Sequence, residues 1–237
     1  MSTRIEVVHD PGRAASALLL SAVLAGGHVV LTGGSTPRQA YVELATAVRE
    51  LGISMGGTVL WFSDERCVPP DDEKSNYRLA REALLDPLDG DAQCEVKRIP
   101  GELGPFEAAD AYERELEAAG RPRFDLVLLG LGPDGHIASL FPDQPSLQER
   151  SRLVVGVPEA GLEPFVPRVS LTLPALANAR RMVFLVQGEE KAEAVAAAFG
   201  PQVDPHPHVP ASLVPRLVDD LLVLVDREAA ARLPAQE

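Results

Sequence analysis

The sequence predicts an α/β fold on a mostly parallel sheet, with helices on both faces and a ligand site at the carboxyl ends of the strands. Two observations carry that prediction. Short apolar runs alternate with helix-patterned stretches along the chain, the order that joins parallel strands through crossover helices. Four chemically loaded loops, at residues 33–37, 63–66, 132–136 and 187–191, each follow an apolar run. Parallel strands bring all four loops to one edge, where open α/β sheets bind their ligands.

The 237 residues are 46% hydrophobic and 24% charged, enough for one domain spanning 1–237 with a full core. No internal repeat or low-complexity linker divides them. The formal net charge is −13, from 22 basic and 35 acidic residues without a Lys/Arg run. This argues against nucleic acid or an anionic membrane as the main partner. An anionic small molecule fits only if the few basic residues gather at its site. The chain enters its first strand without a signal-peptide core, and no apolar run reaches about eighteen residues, so a cytoplasmic location is expected. Cys67 and Cys94 lack metal-ligand spacing and read as free thiols; no metal is expected. Oligomeric state is not legible.

The elements follow in order. Residues 1–9 lead into a short alternating strand. Pro11 suits a helix start, and residues 14–25 supply helix formers up to the Gly26-Gly27 stop. Residues 29–31 form a short buried strand, residues 32–37 a loop, and residues 38–51 a helical period. Glycines ending a strand before hydroxyls that open a helix make an anion cradle from free N–H groups and the helix dipole. Ser35 or Thr36 could instead serve only as an N-cap before Pro37. Residues 59–62 are the next buried strand, and Ser63-Asp64-Glu65-Arg66 after it also fits a solvated turn. Ser75-Asn76-Tyr77-Arg78 opens a helix reaching about Leu85, residues 95–99 read as a strand, and residues 106–119 as a surface helix without evident chemistry.

The organising stretch runs from Asp125 to His136. Its apolar run reads as a strand buried on both faces. It breaks into Gly130-Leu131-Gly132-Pro133-Asp134-Gly135-His136, a loop that carries an acid beside a histidine. Histidine exchanges a proton near neutral pH, and a nearby carboxylate can hold its tautomer. The Gly130, Gly132, Gly135 spacing matches a dinucleotide fingerprint, with Glu159 placed as the ribose-binding acid. That reading needs a helix directly after the third glycine, and Pro142 and Pro145 forbid one long enough to pack. Beyond lie strands at 153–157 and 168–172; if antiparallel, they return Arg168 to the edge where Val157 ends. A buried strand at 182–186 leads through Lys191 into a helix at 192–199. His206 and His208 read as exposed loop residues, residues 221–225 close the sheet, and residues 227–237 form a short helix and a frayed end.

The inventory is an anion cradle, the cations Arg66, Arg168 and Lys191, and the Asp134/His136 pair. Arginine forks match phosphate geometry, so a small phosphorylated substrate fits. No Gly-x-Ser-x-Gly elbow and no Walker loop occur, and Ser139 lacks the support a triad needs. A water activated directly by His136 is the economical chemistry.

Thr32-Gly33-Gly34-Ser35-Thr36-Pro37, Ser63-Asp64-Glu65-Arg66 with Ser75-Asn76-Tyr77, the block from Gly130 to Pro142, Arg168-Val169-Ser170-Leu171-Thr172 and Gly188-Glu189-Glu190-Lys191-Ala192 resemble the glucosamine-6-phosphate isomerase/6-phosphogluconolactonase family, on its lactonase side. The resemblance covers nearly the whole chain. It implies a Rossmann-like sheet and a cofactor-free enzyme of the oxidative pentose phosphate pathway. Its partner would be a small phosphorylated sugar lactone, 6-phospho-D-glucono-1,5-lactone, hydrolysed to 6-phospho-D-gluconate. The resemblance further implies that Gly33, Gly34, Ser35, Thr36, Arg168 and Lys191 hold the phosphate. His136 would activate water, Asp134 orient it, and Arg66 stabilise the oxyanion, while Asp64 and Asn76 bind sugar hydroxyls or brace Arg66. Deaminases of this family carry a glutamate five residues past the histidine; Phe141 stands there and cannot move a proton. Sugar-phosphate sensors on this fold append a basic DNA-binding segment, for which this sequence has no counterpart.

Overall fold

Seven parallel strands position everything else. The computed structural model describes residues 2–88, 94–201 and 203–234. In chain order the seven are β1 (Ser2–Val7), β2 (Gly27–Leu31), β3 (Thr58–Phe62), β5 (Glu95–Val96), β6 (Leu126–Leu129), β9 (Met182–Val186) and β10 (Asp220–Val225). Their order across the sheet is β1-β10-β9-β6-β2-β3-β5, and every neighbouring pair is parallel. From β2 the chain steps outward through β3 to β5, then returns to the other side of β2 with β6 and continues outward. The reversal between β2 and β6 is a topological switch point, the place where such sheets open a crevice.

Every residue of β6 and β9 is buried, so both faces at the centre of the sheet are covered, as their continuous Val/Leu runs require. β10 does not close the sheet as expected. β1 pairs along its length, from Ser2↔Asp220 to Val7↔Val225. The alternating polar residues of β1 suit an edge, whereas the Leu/Val run of β10 needs a neighbour on each side.

Three helices frame the sheet near the switch point. Helix α1 (Pro11–Ala25) starts at Asp10, whose carboxylate accepts the Arg13 N–H at 3.0 Å, and stops at Gly26. Helix α2 (Ser35–Leu51) buries Ala40, Tyr41, Leu44, Ala45 and Val48, one stripe of a 3.6-residue period, and packs against α1. Helix α3 (Asn76–Ala80) is capped by Ser75, whose Oγ accepts the Arg78 N–H at 3.1 Å, and continues as a π-helical turn over Arg81–Leu85. Helix α4 (Pro105–Ala118) is less superficial than its composition suggests: Ala108, Ala109, Tyr112 and Leu116 are buried. Two further α-helices follow among the described residues, α5 (Leu173–Ala177) and α6 (Ala192–Phe199).

A second sheet sits beside the first. Strands β4 (Asp64–Arg66), β7 (Val154–Val157) and β8 (Arg168–Leu171) run antiparallel in the order β4-β8-β7. Val157 faces Arg168, the return expected from the sequence. Asp64–Arg66 is therefore a strand and not a solvated turn, and Asp64 and Glu65 are buried. Ser63 joins the sheets: its N–H donates to the Leu31 carbonyl and its own carbonyl accepts from the Leu171 N–H, each at 2.8 Å. Two expected elements are shorter than predicted. The strand at 95–99 pairs only at Glu95 and Val96, after which Lys97 N–H bonds the Leu60 carbonyl and Pro100 supplies no donor. Residues 227–234 form turns rather than a helix, with Pro234 removing the next donor; residues 235–237 of that expected helix lie outside the described residues. Among the described residues no helix is long and apolar enough to cross a membrane.

Candidate active site

A cavity of about 340 Å³ opens over the switch point, lined from all four loaded loops. These loops follow β2, β3, β6 and β9, which are adjacent in the sheet.

The cradle follows β2. Tyr41 of α2 reaches back to clamp Thr32: its hydroxyl accepts the Thr32 N–H at 2.9 Å and donates to the Thr32 carbonyl at 2.7 Å. Gly34 then turns the chain with φ 120° and is itself the N-cap of α2, with no side-chain capping bond. The alternative in which Ser35 or Thr36 merely caps the helix is thus not realised. The N–H groups of Gly33, Gly34, Ser35 and Thr36 have no protein acceptor among the described residues, an arrangement whose chemistry suits an anion. A side chain at Gly33 would collide with the Asn76 amide, so only glycine lets α3 approach the cradle this closely.

The loop after β6 carries the acid and the histidine. It closes on itself through Gly135 N–H to the Gly132 carbonyl at 3.0 Å and Gly132 N–H to the His136 carbonyl at 2.9 Å. His136 Nδ1 lies 2.6 Å from Asp134 Oδ1, which also accepts the His136 backbone N–H at 3.2 Å. Burial works against the charge on Asp134, but the hydrogen bond and charge interaction with His136 outweigh it and hold the carboxyl below its usual range. An ionised carboxylate only accepts, so Nδ1 carries a hydrogen, and in the neutral ring the lone pair then belongs to Nε2. His136 lines the cavity.

Asp64 and Asn76 form a braced pair. Asp64 Oδ2 accepts the Ser139 hydroxyl at 2.6 Å, and Oδ1 accepts Ser63 Oγ at 3.1 Å and Asn76 Nδ2 at 3.2 Å. Ser139 therefore ties the His136 loop to β4 instead of entering a triad. Glu65, silent in the sequence, is a buried hub. It accepts the N–H groups of Arg66, Asn76 and Tyr77 and the Ser75 hydroxyl at 2.7–3.0 Å, and burial pushes its pKa up against the pull of those N–H bonds.

Arg66 and Arg168 stand directly opposite each other on β4 and β8, and neither forms an ion pair among the described residues. Like charges so placed destabilise a sheet unless an anion joins them. Arg66 Nη1 donates to the Lys74 carbonyl at 2.6 Å, and its buried Nε has no partner. Arg168 spends Nε and Nη2 on the carbonyls of Val166 (3.2 Å), Pro164 (2.8 Å) and Leu162 (3.3 Å). Burial lowers its pKa, and Arg66 lowers it further. Lys191 is half-buried at the rim, and burial lowers its pKa too. The structure brings every residue singled out from the sequence into this cavity wall or its immediate support. Sequence reasoning missed Glu65, Tyr41 and the bracing role of Ser139; Glu65 is buried mainly by partners about ten residues on, across a loop, which leaves no local signal.

Fold and loops together define an α/β protein with a cradle of free backbone N–H groups and an Asp134–His136 pair at one switch point. The family described as glucosamine-6-phosphate isomerases/6-phosphogluconolactonase matches residues 14–223. The chain belongs to that family. It is 38% identical to the 6-phosphogluconolactonase of Mycobacterium leprae (strain TN), covering 99% of this chain and 100% of that protein. It is 41% identical to the 6-phosphogluconolactonase of Homo sapiens over 86% of this chain and 79% of that one. The solved 6-phosphogluconolactonase from Trypanosoma cruzi superposes with a TM-score of 0.82 at 27% identity, covering 99% of this chain and 98% of that one.

Proposed function

We propose that this chain is a cytoplasmic enzyme that hydrolyses 6-phospho-D-glucono-1,5-lactone to 6-phospho-D-gluconate. The observation that carries the reading is the placement of His136: Asp134 engages its Nδ1, which leaves Nε2 of this cavity-wall residue to act on water. Kinship with proteins named 6-phosphogluconolactonase supports the substrate. The phosphate rests on the N–H groups of Gly33, Gly34, Ser35 and Thr36, with Lys191 and the charge of Arg168 beside it. His136 Nε2 takes a proton from water as that water attacks the lactone carbonyl, and Asp134 stabilises the imidazolium so formed. Arg66 faces the oxygen as it gains charge. The tetrahedral intermediate collapses with cleavage of the ring C–O bond, and the proton held by His136 passes to the departing ring oxygen. Asp64 and Asn76 hold the shape of the wall against which the sugar hydroxyls lie.

The test is lactone hydrolysis measured above the spontaneous background, with ammonia release from glucosamine 6-phosphate as the control. Hydrolysis without ammonia is expected, because Phe141 replaces the proton-moving glutamate. Ammonia well above the enzyme-free rate, without lactone hydrolysis, would overturn the reading.

A further inference from the structure

Phe141 is fully buried yet touches the cavity, and the reaction proposed above gives it no task. Its ring centroid lies 4.7 Å from that of His136, tilted by 45°. The chain goes to some length to put it there. Between the two residues Leu140 N–H bonds the Ile137 carbonyl at 2.8 Å, closing a turn in which Ala138 sits at φ 49°, a strained region for a residue with a Cβ. Ser139 anchors that turn through its hydroxyl on Asp64 and its N–H on Ser170 Oγ. From the other side, a Cβ on Gly161 would press on Phe141 at 3.0 Å, so the ring has little room to move. Strain that is over-determined by surrounding contacts marks a position with a function.

That function follows from what the Asp134 bond leaves undone. A hydrogen bond at Nδ1 fixes one atom of the imidazole, and the ring can still tilt about it, swinging Nε2 across the cavity. A fixed aromatic ring packed against it, with centroids 4.7 Å apart, limits that freedom. We infer that Phe141 is a positioning residue that holds the plane of the His136 imidazole, so that Nε2 stays aimed at the attacking water. The inference rests on the assignment of His136 as the base. The Arg168 guanidinium carbon lies 5.9 Å from the same ring, so Phe141 also borders the cationic wall.

The experiment compares Phe141→Leu and Phe141→Met, which remove the flat face but keep most of the volume, with Phe141→Tyr, which retains the ring. Turnover of the phosphorylated lactone, binding of 6-phosphogluconate by calorimetry, and the ¹⁵N spectrum of labelled histidine are read for each. Leu and Met should lose roughly 10–10²-fold in kcat while product binding changes less than about threefold, and Tyr should recover most of the rate. The His136 ring nitrogens, a single tautomer in the wild type, should broaden or split in the Leu and Met variants. Turnover within about twofold of wild type in Leu and Met would overturn the inference while leaving the lactonase assignment standing. Loss of product binding in parallel with turnover would also overturn it, because the ring would then serve the fold. A wild type without lactone hydrolysis would instead refute the reading on which the inference rests.

Discussion

At the scale of single residues, Asp134 decides what His136 can do. Asp134→Asn keeps the shape but can offer an N–H to Nδ1, which favours the tautomer with its hydrogen on Nε2. Turnover should fall on the order of 10²–10⁴-fold with product binding retained; a loss of less than about threefold would contradict the role. The same residue has a signature in stability. Its folded pKa lies below the ordinary carboxylate value, so its contribution is fully present above the unfolded pKa and is lost as pH falls through the lowered folded one. Below about pH 4 the wild type should therefore lose more melting temperature than Asp134→Asn, as read by calorimetry. Asp134 and His136 were legible because they sit two apart on one glycine-rich loop. Glu65 was not, because its four donors come mostly from the start of a helix about ten residues away.

At the scale of elements, Glu65 is the joint between β4 and α3, the two pieces that carry Arg66, Asp64 and Asn76. Glu65→Ala strands three backbone N–H groups and one hydroxyl in a buried junction, and should cost about 3 kcal/mol or more in urea unfolding. A change below about 1 kcal/mol would show that the joint is held elsewhere. The proposed phosphate cradle is also an element property, built by the start of α2 with Lys191 in the same cavity wall. Lys191→Ala should raise KM for the phosphorylated lactone by about 10–10²-fold and leave plain gluconolactone nearly unaffected. Equal losses on both compounds would remove Lys191 from the phosphate site. Arg168→Ala is the less clean test, since it also frees the carbonyls of residues 162–166. Strands β2, β3, β6, β9 and β10 announced themselves as apolar runs, because strands buried on both faces can be nothing else. Strand β4 did not. Asp-Glu-Arg looks like a turn until β8, about a hundred residues later, supplies its pairing and Ser139 and Ser75 satisfy its acids.

At the scale of the whole molecule, the fold solves a charge problem. A chain of net charge −13 repels an anionic substrate at long range, and the answer is to gather Arg66, Arg168, Lys191 and the α2 N–H groups at one switch point. The alternation of strands and helices was enough to predict that the four loops would meet. Their close fit was not predictable, because it depends on tertiary approaches such as Asn76 against Gly33. The central claim is that this assembly hydrolyses a phosphorylated lactone with His136 as the base, and His136→Asn tests it most directly. Turnover is followed by rapid lactone assay with the uncatalysed rate subtracted, alongside calorimetric binding of 6-phosphogluconate. The variant should lose roughly 10²–10⁴-fold in turnover while binding product nearly as tightly as wild type. Turnover within a fewfold of wild type would contradict the account.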